Sequence, residues 1–171
     1  MRFKHCPDCG TKLVMKNIGD EGMTPWCDNC RKPWFDMFPT CVMTLVVNEY
    51  EEALLQKQEY LSDKYWNLVT GFMKPGETAE VSAVREVEEE AGITVESAEF
   101  AGTYWFEAGG LMMIGFIAKA KKAPLTPSVE VSESRWVPVH EAINMVFPKE
   151  EGNVTYILLE KYIEGLENSD I

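Results

Sequence analysis

The sequence predicts an α+β protein: a mixed sheet between helices, preceded by a small metal-organised module. Three observations carry this. Apolar β runs lie before and after one long amphipathic helix, an order that suits an α+β or α/β/α sandwich rather than an alternating parallel-sheet protein. That helix lies within Gly71–Ile93 (GFMKPGETAEVSAVREVEEEAGI) and carries Glu86, Glu89 and Glu90 at i, i+3 and i+4. Residues 1–36 hold two Cys-x2-Cys pairs separated by seventeen residues.

The cysteine pairs come first. Cys6, Cys9, Cys27 and Cys30 have the ligand spacing of a tetrahedral Zn²⁺ site. Pro7-Asp8 and Asp28-Asn29 are turn-forming dipeptides inside the two knuckles. The start, MRFKHCPDCG, has no apolar signal region, which disfavours disulfides and makes a cytoplasmic location the default. Residues 1–36 therefore read as a zinc ribbon, too small to bury a core of its own, so that the metal would supply folding energy. It is either a structural appendage or dimer contact, or a nucleic-acid contact. Charge favours the former: residues 1–35 carry six Lys and Arg against four Asp and Glu, an excess too small for a strong phosphate footprint.

The remainder, residues 37–171, reads as the second domain and carries ten basic against 23 acidic residues. An acidic body argues against general duplex nucleic-acid binding. It is compatible with a phosphate substrate if bound cations supply the positive charge. No apolar run reaches about 18 residues, so no membrane span is expected.

The elements of this domain follow in order. Thr40 to Asn48 is an apolar β run containing Cys41, which reads as a core thiol. Ala53 to Leu61 and Trp66 to Thr70 read as further strands. The acidic helix ends at Gly92, suited to the left-handed position after a last turn. Val81, Val84, Val87 and Ala91 form its apolar stripe. Thr94 to Glu107 and Leu111 to Lys121 make a hairpin around Gly109-Gly110. Residues 123–132 are a loop, and Arg135 to Val137 is a short strand. Pro138 opens a helix to about Val146, and Gly152 to Glu164 is the last helix.

Like charges at i, i+4 repel, so the three carboxylates need counter-charge. Arg85 offers one, toward Glu77 or Glu89; a hard divalent cation offers another. The spacing Gly71, Glu77, Arg85, Glu86, Val87, Glu89, Glu90, Gly92, Ile93 resembles the Nudix box, with no position missed. Seven of these are fixed residue types; at about 7% usage each, a chance match is on the order of 10⁻⁸ per start position. The resemblance implies a Nudix-type α/β/α sandwich over roughly residues 40–165. It also implies divalent-metal-dependent hydrolysis of a nucleoside diphosphate linked to another group, with Mg²⁺ or Mn²⁺ held by Glu86, Glu89 and Glu90 and by the carbonyl of Thr70 or Gly71. Glu77 and Arg85 would brace the loop against the helix, and Gly71 and Gly76 would let the backbone approach closely. In some relatives a later Glu holds metal or activates water; Glu130 is the candidate and Glu133 the runner-up. His5 and His140 have no role in this chemistry.

A zinc ribbon directly before a Nudix domain resembles the NADH pyrophosphatase subfamily, which also removes NAD caps from RNA. The Leu111–Ala118 strand and the spacing from Glu130 to Trp136 fit it. The subfamily's Ser-Gln-Pro-Trp-Pro-Phe-Pro element is replaced here by Gly102-Thr103-Tyr104-Trp105-Phe106-Glu107-Ala108. The resemblance implies a nucleotide substrate, with NAD(H) or ADP-ribose leading, and dimerisation. Tyr104, Trp105 and Phe106 are either aromatic surfaces for a base or nicotinamide, or strand core; Trp66 has the same two readings. The alternative function is a non-catalytic module that senses a nucleotide or touches RNA.

Overall fold

The computed structural model describes residues 3–150 and 152–169, the last by its backbone only. Met1, Arg2, Glu151, Asp170 and Ile171 lie outside the described residues, and with them the ends of the expected ribbon (1–36) and catalytic domain (37–171). The chain divides into two compact units, Met1–Phe38 and Pro39–Ile171.

The first unit is a three-stranded antiparallel sheet of β1 (Val14–Asn17), β2 (Met23–Cys27) and β3 (Lys32–Pro33), with β2 in the middle. Its two cysteine knuckles close alike. The Gly10 amide donates to the Cys6 carbonyl at 2.9 Å, and the Arg31 amide to the Cys27 carbonyl at 2.8 Å. Both closing residues are left-handed, Gly10 at φ 73° and Arg31 at φ 55°. Glycine adopts this at no steric cost; arginine does not.

The second unit is built on β4 (Thr40–Val47), β5 (Glu52–Lys57), β6 (Val69–Phe72), β7 (Val95–Phe106), β8 (Leu111–Ala120) and β9 (Glu133–Pro138), in sheet order β7-β8-β4-β5-β9 with β6 also on β4. Among the pairings of these strands, only β4–β8 is parallel, with Thr40 opposite Met112 and Val47 opposite Lys119. The helices are α1 (Ala79–Ala91), the short α2 (Val139–Ala142) and α3 (Val154–Ser169).

β4 explains the layering. Its side chains alternate between faces. Met43, Leu45 and Val47 pack with α2 and α3 through Val139, Ala142, Leu158 and Leu159. Val42 packs with Ala83 and Phe116, and Val46 with Val87 and Ala91, beneath α1. Both faces are covered, which is why this strand is a continuous apolar run rather than an alternating one. Each such fully buried aliphatic side chain is worth about 1.5–3 kcal/mol against exposure.

Three expectations shift. The strand from Ala53 stops at Lys57, because the amides of Leu61 and Ser62 turn back onto the Gln58 carbonyl. The helix after Pro138 is helical only over Val139–Ala142; the amides of Asn144 and Met145 then bond three residues back, in tight turns. The strand before the box is Val69–Phe72, while Trp66 and Asn67 make isolated bridges with Val146 and Gln56. No helix among the described residues is long and apolar enough to cross a membrane.

Candidate active site

α1 is capped at both ends, at Gly92 as its sequence suggests. The Thr78 hydroxyl accepts from the Val81 amide at 3.4 Å, and Gly92 is left-handed at φ 67° with its amide on the Glu88 carbonyl. Its buried face differs from the expected stripe. Val81 is 55% exposed, whereas Ala83, Val87 and Ala91 are buried together with Glu86 and Glu90. The helix is rotated so that two of its acids, not Val81, face inward.

Arg85 organises the box loop. Its Nε and Nη2 donate to both oxygens of Glu77 at 2.6 and 2.9 Å, and Nη1 donates to Glu86 at 2.7 Å and Glu89 at 3.0 Å. Nη2 also reaches the Phe72 carbonyl at 3.2 Å. Such paired, charge-assisted bonds fix geometry as well as charge. The Arg85 guanidinium, with the Lys74 amide, holds the Glu77 carboxyl down to about 2. Glu89, at the exposed rim, pairs with Arg85 and Lys74.

Glu90 is held differently. It is 5% exposed, and its Oε1 accepts from Gln58 Nε2 at 3.2 Å. Its Oε2 is buried with no hydrogen-bond partner. Burial, followed by the nearby charges of Glu86 and Glu130, pushes its carboxyl up to about 7, against the lowering effect of the Thr70 backbone and Gln58. The backbone of Glu90 is tied as well: its carbonyl accepts from Gln56 Nε2 at 3.4 Å.

The loop carrying Glu130 docks onto the end of α1. The Ser128 amide donates to the Glu90 carbonyl at 3.2 Å, and the Thr126 amide to the Ala91 carbonyl at 2.9 Å. These bonds satisfy helix-end carbonyls that would otherwise lack partners. They bring Glu130, forty residues on in sequence, to the same cleft as Glu90. Gly92 is required twice here, for its φ and because a Cβ would lie 1.8 Å from Thr126 Oγ1.

Gly71 has a comparable role. A Cβ there would lie 2.0 Å from Glu86 Cδ, so its absence makes the room that the Glu86 carboxylate occupies. Gly76 does not serve close approach. Nothing lies within 4 Å of its would-be Cβ, and its φ of 91° is what demands glycine.

A cleft of about 960 Å³ takes in Thr70, Gly71, Arg85, Glu86, Glu89, Glu90 and Glu130. Phe106 lines it too. Tyr104 packs against the core beneath α3 with its hydroxyl on the Ala101 carbonyl, and Trp105 Nε1 donates to Glu107; neither lines the cleft. Glu133 lies outside the cleft and pairs with Arg135, while Trp66 is buried in the core with the Arg135 guanidinium over its ring. Cys41 does line the cleft; burial pushes its thiol up to about 11, so it stays protonated. Sequence reasoning missed Gln56 and Gln58. Their signal was two polar residues continuing the Leu54 face directly after the apolar run Ala53–Leu55.

The acid cluster offers the oxygen donors that a hard divalent cation takes, although among the described residues only the cysteines bring three or more ligand atoms within 4.8 Å of one another. Its donors are carboxylate oxygens, and one of them, Glu90 Oε2, is buried without a donor, which a cation would remedy. The cysteine cluster fits a soft one. All four Sγ atoms lie within 4.8 Å of one another, with Cys6–Cys30 at 3.8 Å and Cys9–Cys27 at 3.5 Å. Zn–S bonds of about 2.3 Å in a tetrahedron need sulfurs about 3.8 Å apart.

The sequence profile of the NUDIX domain matches residues 37–158. The chain belongs to the NUDIX family. Among its relatives, the NAD-capped RNA hydrolase NudC of Vibrio parahaemolyticus is 28% identical over 165 residues, covering 96% of this chain and 61% of the relative. Nudix hydrolase 19, chloroplastic, of Arabidopsis thaliana is 26% identical, covering 96% of this chain and 40% of the relative. The chain thus spans about three-fifths or less of the length of these relatives. A crystal structure of a NUDIX hydrolase from Nitrosomonas europaea superposes with a TM-score of 0.73 at 24% identity, covering 95% of this chain and 94% of that one. The α+β Nudix sandwich expected from the sequence is the fold observed.

Proposed function

We propose that this chain is a divalent-metal-dependent Nudix pyrophosphohydrolase. It cleaves the pyrophosphate linkage of a nucleoside diphosphate derivative, with NAD(H) or ADP-ribose leading, and yields two monophosphates. The observation that carries this is the acid cluster in the cleft: Glu86 and Glu90 buried, Glu130 docked beside them, and Glu90 Oε2 without a donor. The names of the relatives above, NAD-capped RNA hydrolases among them, support a dinucleotide linkage.

Glu86, Glu89, Glu90, Glu130 and the Thr70 carbonyl would hold Mg²⁺ or Mn²⁺. When bound, such an ion neutralises the phosphates, positions them and lowers the pKa of water. The protein's own contribution is placement. Arg85 and Glu77 lock the box loop to α1, Gly71 makes room for Glu86, and Gln58 turns Glu90 so that one oxygen faces inward. Glu130, exposed at the cleft, is the base positioned to accept the proton of the attacking water. The zinc ribbon is structural in this reading, with Zn²⁺ on Cys6, Cys9, Cys27 and Cys30.

The test is phosphate release, after phosphatase coupling, from NADH, NAD, ADP-ribose, NAD-capped RNA, FAD, nucleotide sugars and nucleoside triphosphates with Mg²⁺ or Mn²⁺. Cleavage of NADH or ADP-ribose above the others is expected. No cleavage by folded, metal-replete protein would instead favour a nucleotide-binding module.

A further inference from the structure

The cleft extends beyond the acids into an apolar end formed by Cys41, Met43, Phe106, Leu111, Met113 and Phe147. Two amides line the cleft with these side chains: Asn153, whose Nδ2 is bonded to the Phe147 and Pro148 carbonyls, and Asn67. Asn67 lies just before β6, and its backbone is fixed by reciprocal bonds with Gln56, Asn67 N to Gln56 O at 2.8 Å and Gln56 N to Asn67 O at 2.9 Å. Its side chain is fixed too. Oδ1 accepts from the Leu68 amide at 3.0 Å and from the Thr155 hydroxyl at 2.6 Å. The hydroxyl lies also 3.3 Å from Met43 Sδ.

The Leu68 N–H can only donate, so it settles which end of the amide is which. Nδ2, with its two hydrogens, is left facing the cleft. Among the described residues it donates to no protein group, and it is not sealed from solvent as Gln58 Oε1 and Glu90 Oε2 are. A preorganised donor set in an apolar, aromatic-edged recess is how a pocket fixes the orientation of a flat ligand.

We propose that Asn67 is a specificity-determining residue: Nδ2 donates to an acceptor on the edge of a planar ring lodged in this apolar end. The inference rests on the nucleotide-substrate reading above and names the part of the substrate that the recess recognises. Two rings of a dinucleotide offer such an edge. Adenine presents unprotonated ring nitrogens, and nicotinamide presents its carboxamide oxygen. The shared chemistry is an uncharged acceptor at the edge of a flat aromatic ring.

The geometry supplies its own test. Asn67→Asp keeps Oδ1 and therefore both accepted bonds, but replaces the cleft-facing donor with a carboxylate oxygen. Binding of AMP and of nicotinamide mononucleotide is measured by calorimetry in wild type and N67D, without turnover. The expected result is a 10- to 100-fold weaker affinity of N67D for one ring, with the thermal midpoint little changed. Loss for AMP alone assigns adenine to the recess; loss for nicotinamide mononucleotide alone assigns nicotinamide. If N67D folds poorly, the acceptor is removed from the ligand instead. Wild type then binds 1-, 3- or 7-deaza-AMP, or pyridine mononucleotide lacking the carboxamide, more weakly than the parent.

Equal affinities across wild type, N67D and these analogues would overturn the proposal, as would no binding of either mononucleotide to wild type. Because binding is read without catalysis, an inactive protein that still shows the N67D loss would overturn the hydrolase reading and leave this one standing. An active protein indifferent to N67D would do the reverse.

Discussion

The chain carries two clusters of metal-ligating side chains, and they are opposite in kind. In the ribbon, four soft thiols converge within 4.8 Å, two of them buried, and no substrate is needed to complete the set. In the cleft, hard carboxylates are spread between a buried position (Glu90), a braced one (Glu86) and exposed ones (Glu89, Glu130). Arg85 neutralises the acids that brace the loop and leaves Glu90 Oε2 unpartnered. A closed tetrahedral set belongs to a structural ion; an open carboxylate set leaves places for water and substrate phosphates. On the function proposed above, the chain separates an ion that holds a fold from one that does chemistry, by ligand softness and by closure.

The largest effect that would sharpen this contrast is on the closed site. Cys27→Ser should remove the bound zinc, measured by elemental analysis, and with it the β1–β3 amide protection. Structural zinc sites contribute about 10–16 kcal/mol of apparent binding energy at pH 7. A ribbon that kept its protection without zinc would break the comparison.

Next is Glu90→Gln. Turnover should fall on the order of 10³-fold while far-UV circular dichroism is unchanged. The metal-free variant should also melt higher than metal-free wild type at pH 8, because the substitution removes a buried, unpaired charge. Retained turnover would remove Glu90 from the site.

Gly71→Ala tests the room made for Glu86. The carboxylate must move, so turnover should drop about 10- to 100-fold, with an unfolding cost of at most about 1 kcal/mol. Equal loss in both would mean that Gly71 serves stability alone. Arg85→Lys keeps charge but loses the paired contact with Glu77; it should cost about 1–3 kcal/mol in denaturant unfolding.

The smallest effect is on pH. The folded-state pKa of Glu90 is raised from 4.5 to about 7. Folded protein therefore binds the extra proton, and the metal-free chain should lose stability as pH rises from 4.5 through 7, levelling above. Mg²⁺ binds the ionised form, so the rise in thermal midpoint that it causes should be greater at pH 8 than at pH 6. A metal-induced rise that is flat between these two pH values would contradict the assignment of Glu90.

Much of this was legible in the sequence. The box spacing located α1, its Gly92 cap, the Arg85–Glu77 brace and the acid cluster, because those residues interact locally. What was not legible depends on distant contacts. Val81 looks like core on a helical wheel, yet the docking of Glu90 against Gln58 rotates α1 and leaves Val81 in solvent. Trp105 stands where an aromatic platform was expected, but strand alternation sends it away from the cleft while Phe106 lines it. Nothing in the sequence singles out Asn67; its side chain is held by the Leu68 amide next to it and by Thr155, eighty-eight residues on.

The most direct measurement is metal analysis with activity, before and after desalting into metal-free buffer. Desalted protein should retain one zinc per chain, lose hydrolysis of its best substrate, and regain it on addition of Mg²⁺ or Mn²⁺ alone. Activity that survives desalting undiminished, or that returns only with added zinc, would contradict the separation of a closed structural site from an open catalytic one.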